Sequence, residues 1–569
     1  MIQETLSRVL GEAVAAAAPE LGLDPAAVPE PELTRPKLKE HGDWSTNVAL
    51  ILAAQSGRRP REIAEAIARH LRDISEDGPG QGLGVERVEV AGPGFINLFL
   101  GHRWLHQVLA QILEAGPGFG HVAARGARVQ VEFVSANPTG PLHVGTARNA
   151  ALGDAIARIL EADGYAVERE YYWNDTGAQV DLFAATVEAR YLQRFGIDAA
   201  VPEAGYQGAY VADLAAEIAE TVGGSLVSED PVKRRQILAE EAHRRMLDSI
   251  LRTLERFRVR FDSFRTEGEL VRSGGVDEAV ARLRSLDLAY DAEGAVWFRS
   301  TAFGDDKDRP LIRSNGEPTY FAKDCAYLLD KVARGFDRLV YVWGADHHGD
   351  VKRVLGAAQA FGIDPARIDI VLYQLVHLYR GGEPVRMSKR AGEMITLDEL
   401  LDEVGTDAAR YTLVSRSPDS PLDFDIKLVT RQTMDNPVYY VQYAHARIAS
   451  LLRVAAGQGA SLQPWRDQDL GLLTEESELD LLRTLSELSE VVGLAAQALA
   501  PHRLPHYAEE AAAAFHRFYS ECRVISEDPS LTKARLWLSV AAKQVIGTAL
   551  ELIGVSAPES MERLDGDEH

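Results

Sequence analysis

The chain has 569 residues, 46% of them hydrophobic and 26% charged, a composition typical of a globular protein with about three or four domains. Its net charge of −24 argues against a protein that coats nucleic acid non-specifically, because neutralising phosphates takes an excess of Lys and Arg. A local basic surface for a folded RNA is compatible with this charge.

The sequence also bears on compartment and metal content. We expect no membrane span, because no apolar run reaches about 18 residues. The first residues lack the basic and apolar regions of a secretory signal peptide, so we expect a cytoplasmic protein. Cys325 and Cys522 have no Cys or His partner at zinc-binding spacing, which predicts two reduced thiols and no protein-bound zinc.

Residues 1–115 are predicted to form a small α+β domain. An opening helical segment over 1–77 ends at a Gly/Pro-rich stretch, 76–82. The alternating segments 88–90 and 95–100 are typical of strands. A Gly-Pro-Gly linker then leads into the next domain.

Residues 116–400 are predicted to form a Rossmann-like domain around one open parallel sheet. The first half has a strand at 129–133, a helix over about 146–163 and a strand over 165–173. This order implies parallel strands joined by a right-handed crossover. A mostly helical stretch, about 180–300, is predicted to be an insertion into the sheet domain.

The second half of the predicted sheet repeats the same order. A strand over 339–343 is followed by a helix over 348–361 and a strand over 368–378. After about residue 400 the strand patterns disappear, and helical spacing continues to the end. Residues 401–569 are therefore predicted to form a helical bundle.

Two short segments carry the chemistry that the sequence suggests. His143 to Thr146 lies where the first sheet loop meets a helix, a position whose free N–H groups suit phosphate. Arg386 to Arg390 is a basic loop after the last sheet strand, suited to a triphosphate or a leaving pyrophosphate. Either segment alone is weak evidence. Together the two segments predict an ATP-using enzyme whose active site is split between them.

These segments resemble the signatures of one enzyme family. The run from Ser135 to Gly145 is similar to the first signature of class I aminoacyl-tRNA synthetases, and Arg386 to Arg390 to their lysine-bearing second signature. The stretches that resemble arginyl-tRNA synthetases in particular are HGDWSTN at 41–47, NDTG at 174–177, GTDAARY at 405–411 and DNPVYYVQYAHAR at 435–447. The resemblance extends over nearly the whole chain.

The resemblance implies a two-step reaction. Arginine and ATP, with Mg²⁺, form arginyl-adenylate, and the arginyl group then passes to the terminal adenosine of tRNA(Arg). It also implies that activation needs bound tRNA, that the N-terminal domain contacts the tRNA elbow, and that the all-α C-terminal bundle binds the anticodon. We expect a monomer.

The resemblance assigns roles residue by residue. Catalytic roles are implied for His143, Thr146, Ser388 and Lys389, and ATP binding for His143, Gly145, Thr146, Gly344, Asp346, His347, Arg386, Met387 and Lys389. Thr146 replaces a second His of many relatives, and Arg386 and Arg390 depart from the usual Lys and Ser. An alternative for Asp346, His347 and His348 is metal ligation.

Selecting arginine takes planar, bidentate acceptors for its guanidinium group. The resemblance implies arginine binding by Glu132, Asn137, His143, Glu267, Tyr320, Asp324 and His347. The alternatives are a structural strand-end carboxylate for Glu132, a solvated charge for Glu267 and a helix cap or surface pair for Asp324.

Aromatic residues near the C-terminal region are candidates for stacking on unpaired tRNA bases. These are Tyr439, Tyr440 and Tyr443, with Arg447 beside them, and Trp465 further along. Their helical spacing fits domain packing equally well.

Three other functional classes compete with this interpretation. Another class I synthetase, such as a cysteinyl type, is disfavoured by the lack of a cysteine-rich zinc site. A nucleotidyltransferase acting on a small acid needs few flanking domains. A catalytically silent RNA-binding module would not need His143, Lys389 and Asp324.

Overall fold

The structure is a computed structural model that describes residues 2–24, 31–36, 38–77, 85–385, 395–460, 462 and 464–561. Parts of the chain named above lie outside the described residues: 78–82 of the Gly/Pro-rich stretch and the signature segment 386–390. Two compact units are present, one made of residues 1–117, 451–487 and 513–544, the other of 118–450, 488–512 and 545–569. Within the described ranges, no helix is long and apolar enough to cross a membrane.

The N-terminal part of the first unit is an antiparallel sheet with helices. Its elements are α1 (Ile2–Leu21), β1 (Trp44–Thr46), α2 (Val48–Ser56), α3 (Pro60–Asp77), β2 (Val85–Ala91), β3 (Phe95–Leu100) and α4 (His102–Ala115). The strand order is β1-β3-β2. The prediction of an opening helical segment over 1–77 misses β1, whose three residues are all buried and show no alternation.

The second unit contains the main sheet. In chain order, the elements of residues 118–385 are β4 (Arg128–Glu132), α5 (Val144–Ala162), β5 (Ala166–Trp173), α6 (Ala178–Arg194), α7 (Ala209–Val222), α8 (Pro231–Arg256), β6 (Ser263–Thr266), α9 (Glu267–Arg272), α10 (Gly275–Ser285), β7 (Ala289–Ala292), β8 (Ala295–Phe298), β9 (Arg309–Ile312), α11 (Tyr320–Ala333), β10 (Arg338–Gly344), α12 (His348–Ala360), β11 (Ile368–Tyr373), β12 (Val376–Arg380) and β13 (Glu383–Pro384). The sheet order is β11-β10-β4-β5-β6, and every neighbouring pair is parallel. The predicted Rossmann-like sheet is therefore confirmed.

Two details of this sheet differ from the prediction. The stretch 180–300, predicted to be mostly helical, also contains strands: β6 joins the main sheet, and β7 and β8 form a small antiparallel sheet with β9. The predicted strand over 368–378 is two strands, because the backbone leaves the sheet at Gln374, whose N–H donates to the Pro418 carbonyl. Strands of four residues are too short to show a reliable period.

The C-terminal region is mainly helical. After residue 394 the elements are α13 (Leu397–Val404), α14 (Thr406–Val414), β14 (Leu422–Asp425), α15 (Ile426–Val429), α16 (Pro437–Gly457), α17 (Glu476–Ser486), α18 (Leu488–Ala498), α19 (Arg503–Glu521) and α20 (Pro529–Leu552). The prediction that strands end near residue 400 is wrong at β14, which pairs with β12 in a three-stranded sheet with β13.

A buried ion pair fixes α5, the helix that follows the first signature. Arg410 on α14 donates to Asp154 Oδ2 on α5 at 2.5 Å, and both side chains are almost fully buried. Arg410 also donates to the carbonyls of Phe257 (2.8 Å) and Ile553 (3.0 Å). Together, these bonds tie α5 to three other parts of the second unit.

Candidate active site

A cleft of about 1130 Å³ opens at the carboxyl ends of the main-sheet strands. It is lined by residues that follow each strand: Ser135 and Asn137 after β4, Asn174 after β5, Glu267 after β6, Asp346 after β10 and Gln374 after β11. The chain runs from β4 to β5 on one side, whereas β10, much later in sequence, pairs with β4 on the other. Ligands of open α/β sheets bind at such a change of direction.

The loop after β4 has an unusual backbone. Val134 and Ser135 have φ angles of 63° and 42°, which are rare for residues other than glycine. The side chain of Asn149 on α5 holds the loop, accepting from Val134 N–H at 2.5 Å and donating to the Val342 carbonyl at 2.8 Å. Backbone strain held in this way is typical of functional sites.

His143 caps the N-terminus of α5. Its Nδ1 accepts hydrogen bonds from Gly145 N–H at 3.1 Å and Thr146 N–H at 3.4 Å. Because Nδ1 is the acceptor in these bonds, the neutral form of the ring that fits this geometry has its proton on Nε2, which is then a donor. A Cβ on Gly145 would lie 3.0 Å from the His143 ring, so glycine gives the ring its place over the helix end.

Glu132 and Glu267 each have a lysine partner in the cleft wall. Nζ of the fully buried Lys331 lies 2.5 Å from Glu132 Oε2 and 3.7 Å from the centre of the Tyr341 ring. Nζ of Lys323 forms an ion pair with Glu267 Oε1. The charge of each glutamate is thus compensated within the protein.

Asp324 differs from these two glutamates. Its side chain is open to the cleft and, among the described residues, it has neither a hydrogen bond nor an ion pair. The surrounding walls withdraw water from the carboxylate, and this loss of hydration, with the nearby charge of Asp350, raises the pKa of Asp324 to about 7. Asp324 is therefore an uncompensated acid that a cationic ligand would neutralise.

The cleft brings together eleven of the residues predicted from the sequence: Glu132, Asn137, His143, Gly145, Thr146, Glu267, Tyr320, Asp324, Gly344, Asp346 and His347. The other predicted cleft residues, Arg386, Met387, Ser388 and Lys389, lie outside the described residues. The role of each residue stays a prediction.

Two of the alternatives to a binding role, given above for Glu267 and Asp324, do not fit the structure. Glu267 is only 2% exposed, so it is not a solvated charge. Asp324 does not cap α11, because the Thr319 hydroxyl accepts from Ala322 N–H at 3.2 Å and takes that position. Glu132 ends β4 and pairs with the buried Lys331, so it has a structural role. This ion pair does not prevent Glu132 from also binding a ligand.

The metal alternative for Asp346, His347 and His348 gains no support. No group of three or more His, Cys, Asp or Glu side chains in the described part of the chain is arranged to hold a metal ion. Asp346 and His347 lie in the cleft, and His347 Nδ1 is 3.2 Å from Asp350 Oδ2.

The residues predicted to bind tRNA lie on α16. The rings of Tyr439 and Tyr443 are stacked with centroids 5.9 Å apart, and the Arg447 guanidinium lies 5.7 Å from the Tyr443 ring centre. Tyr439 is 8% exposed, so for this residue packing within the helical region is the better interpretation. Tyr440, Tyr443 and Arg447 are partly exposed and stay candidates for RNA contact.

Comparison with known proteins decides the family. Family models match three parts of the chain: the arginyl-tRNA synthetase N-terminal domain at residues 2–100, the class I (R) tRNA synthetase catalytic domain at 108–427 and the DALR anticodon-binding domain at 441–561. The chain is 47% identical to the arginine–tRNA ligase of Moorella thermoacetica, over 99% of this chain and 100% of that protein. The chain belongs to the arginyl-tRNA synthetase family.

Other members of the family agree in sequence and fold. The arginine–tRNA ligase of Bacillus subtilis is 43% identical over 98% of this chain and 100% of its own length. A solved Campylobacter jejuni structure described as a putative arginyl-tRNA synthetase has a TM-score of 0.74 and 35% identity, covering 81% of this chain and 100% of that one. The Thermus thermophilus arginyl-tRNA synthetase has a TM-score of 0.76 at 24% identity, covers 99% of this chain and 100% of that one, and supports the fold alone.

Family membership confirms the resemblance found in the sequence. Several residues in and around the arginyl-tRNA synthetase cleft were, however, not identified from the sequence. Tyr320, Asp324, Tyr327 and Lys331 recur at spacings of four, three and four, so they share one face of α11. That spacing was a usable signal for Tyr327 and Lys331. Asn149 could have been noticed because asparagine is a poor helix former and lies here inside α5, about one turn after the first signature.

Proposed function

We propose that the chain is an arginine–tRNA ligase whose cleft selects L-arginine through Asp324. In the first step a carboxylate oxygen of arginine attacks the α-phosphorus of ATP, and pyrophosphate leaves. In the second step a hydroxyl of the terminal ribose of tRNA(Arg) attacks the activated carbonyl, and AMP leaves. The observation that carries this proposal is Asp324, a carboxylate without a Lys or Arg partner among the described residues, in a class I synthetase cleft.

The charge balance of the cleft suits one guanidinium group. Lys331 and Lys323 compensate the charges of Glu132 and Glu267. One positive charge from a ligand is therefore enough to balance the remaining carboxylate near them, Asp324. The ionised Asp324 accepts two parallel N–H bonds from the planar guanidinium. An uncharged amino acid would leave Asp324 unpaired, and a polar site of this kind discriminates by roughly 10⁴ or more without an editing step.

Other predicted residues take the remaining parts of arginine and ATP. Asn137, Tyr320 and His347 line the cleft and would bind arginine, and Asn137 is fixed because its Oδ1 accepts from Asn174 N–H at 3.0 Å. Gly344 and Asp346, also in the cleft lining, would bind the adenosine ribose. His143 would donate from Nε2 to the phosphates as negative charge develops, with Thr146 and Gly145 at the helix end.

The triphosphate needs more positive charge than the described lining offers. That lining has five carboxylates and one guanidinium, from Arg353, which is paired with Asp350 at 2.5 Å. We therefore assign phosphate neutralisation to Mg²⁺ bound with ATP and to the second signature, through Arg386, Lys389 and Arg390 with Met387 and Ser388 beside them. Carboxylates of the lining suit a hydrated Mg²⁺ ion.

The tRNA contacts rest on the family relationship and on charge and exposure. Residues 1–115 would contact the tRNA elbow and residues 401–569 the anticodon, with Tyr440, Tyr443 and Arg447 as stacking and phosphate contacts. Arginine activation would require bound tRNA. A monomeric state and a cytoplasmic location are part of the proposal.

A pyrophosphate-exchange experiment tests this function. The purified chain, supplied with tRNA, ATP and Mg²⁺, should exchange labelled pyrophosphate into ATP with arginine and with none of the other standard amino acids. Omitting tRNA should abolish the exchange. Exchange with a different amino acid, or with none, would contradict the proposal.

Arginine binding should depend on pH around neutrality. Because the pKa of Asp324 is about 7 in the free protein and a bound guanidinium favours the ionised form, arginine must displace a proton at acidic pH. We expect KM for arginine to rise about tenfold from pH 8 to pH 6, since about nine-tenths of Asp324 is then protonated. KM for ATP, measured in the same assays, should change less; a flat arginine profile would refute the assignment.

Removing the donor of His143 should slow activation without unfolding the helix end. His143→Asn keeps an oxygen acceptor for the N-cap but lacks Nε2, so kcat for exchange should fall about 10²-fold. The melting temperature should stay unchanged. The matched variant, His121→Asn at an exposed position, should behave as wild type; a His143→Asn enzyme of normal kcat would rule out the donor role.

A further inference from the structure

Tyr172 on β5 is a cleft residue held firmly from two sides. Its ring stacks on Tyr327, with centroids 4.2 Å apart and an interplanar angle of 16°. The Tyr327 hydroxyl in turn donates to Glu170, which is anchored by Arg334. The backbone N–H of Tyr172 donates to Ser135 Oγ at 3.2 Å. The direction of the Tyr172 hydroxyl is therefore fixed by the protein.

The hydroxyl of Tyr172 is buried and has no hydrogen-bond partner within the described part of the chain. Burial, and after it the charges of Asp324 and Glu267, raise the pKa of Tyr172 well above its ordinary range. The group therefore stays a neutral phenol that can both accept and donate. Buried hydroxyls in folded proteins are normally paired, so the Tyr172 hydroxyl, which belongs to a residue lining the cleft, is available to pair with a ligand atom.

The chemistry of the missing atom follows from the surroundings. The neighbouring carboxylates already have oxygen acceptors in excess, and a triphosphate would be repelled there. A guanidinium has five N–H donors, of which a bidentate carboxylate takes two. The remaining donors need neutral acceptors in the plane of the group. Tyr172 supplies one: it lines the same cleft as Asp324, and its ring stacks on Tyr327, one turn from Asp324 on α11.

We propose that Tyr172 determines specificity by accepting a hydrogen bond from the guanidinium of arginine, beside Asp324. This inference rests on the proposed function and adds a residue to the arginine pocket. A smaller ammonium group, such as that of lysine, cannot reach the carboxylate and this hydroxyl with the same planar set of donors.

The test is Tyr172→Phe, which removes the oxygen and keeps the stacked ring. KM for arginine should rise about tenfold, while kcat and KM for ATP stay within about twofold, since a hydrogen bond to a charged group is lost from binding alone. The melting temperature should not fall, because the Tyr172 hydroxyl bonds to no protein group in the part of the chain that the structure describes.

The matched control is Tyr191→Phe in α6. Its hydroxyl donates to the Gly223 carbonyl at 2.6 Å, so this variant should lose stability and keep normal arginine kinetics. An unchanged KM for arginine in Tyr172→Phe, or an equal rise in KM for ATP, would overturn the inference. If the wild-type protein shows no arginine-dependent exchange, the proposed function fails first, and the two failures are thereby distinguishable.

Discussion

Replacing Asp324 with asparagine should lower kcat/KM for arginine about 10³-fold, because truncating one partner of a desolvated charge pair costs about 4 kcal/mol and about 1.4 kcal/mol corresponds to a factor of ten. Asparagine has the same size, but its NH₂ group would face the guanidinium donors. The KM for ATP should stay within about twofold. Steady-state pyrophosphate exchange with varied arginine measures the effect.

The same variant links the kinetic effect to the protonation of Asp324. Asparagine resembles the protonated acid, so the pH dependence of KM for arginine expected for the wild-type protein should disappear. Asp337→Asn is a suitable control: it lies just before β10, at the end of the sheet opposite the cleft, and accepts from Arg128 N–H at 2.7 Å. A loss below tenfold for Asp324→Asn, or a similar loss for the control, would remove Asp324 from its assigned role.

Breaking the buried ion pair at α5 should have the largest effect on stability. Asp154→Asn leaves the guanidinium of the fully buried Arg410 without its counter-charge, and such a change costs about 3–5 kcal/mol in the free energy of unfolding. Burial alone would raise the pKa of Asp154, but Arg410 and then Arg158 lower it overall. This contribution is therefore present above the unfolded-state pKa of about 3.9 and is lost as the pH falls through the lower folded-state value.

Urea unfolding of Asp154→Asn, followed by tryptophan fluorescence, measures this effect. The exposed pair Arg8–Glu12 provides a control, since Glu12→Gln should change the free energy of unfolding by less than about 0.5 kcal/mol. Replacing both buried partners with apolar residues, Asp154→Leu with Arg410→Met, should recover part of the loss. Wild-type stability of Asp154→Asn would show that the pair contributes little.

The sequence predicted those parts of the fold that carry a clear period. In segments such as 165–173 and 339–343, hydrophobic residues either alternate with polar ones or follow one another without interruption, and the structure contains strands there. Strands β6 and β14 have four residues each, too few for a reliable period even though burial alternates along β14, so their positions are fixed by the neighbouring strand. The break at Gln374 likewise depends on a backbone bond to Pro418, 44 residues later along the chain, that no local pattern shows.

The cleft residues divide in the same way. His143 and Asp324 stand out in short motifs, which a sequence alone can show. The compensation of Glu132 by Lys331, and of Glu267 by Lys323, depends on side chains that meet only after the sheet forms. The pairing of these two glutamates, which leaves Asp324 without a Lys or Arg partner among the described residues, is therefore a property of the folded protein.

Attachment of arginine to tRNA tests the central claim most directly. Labelled arginine, incubated with the protein, ATP, Mg²⁺ and intact tRNA(Arg), should become acid-precipitable with the tRNA, and periodate oxidation of the 3′-terminal ribose should prevent this. Labelled lysine or another amino acid should remain free. Transfer of a different amino acid, or no transfer of arginine under these conditions, would contradict the account.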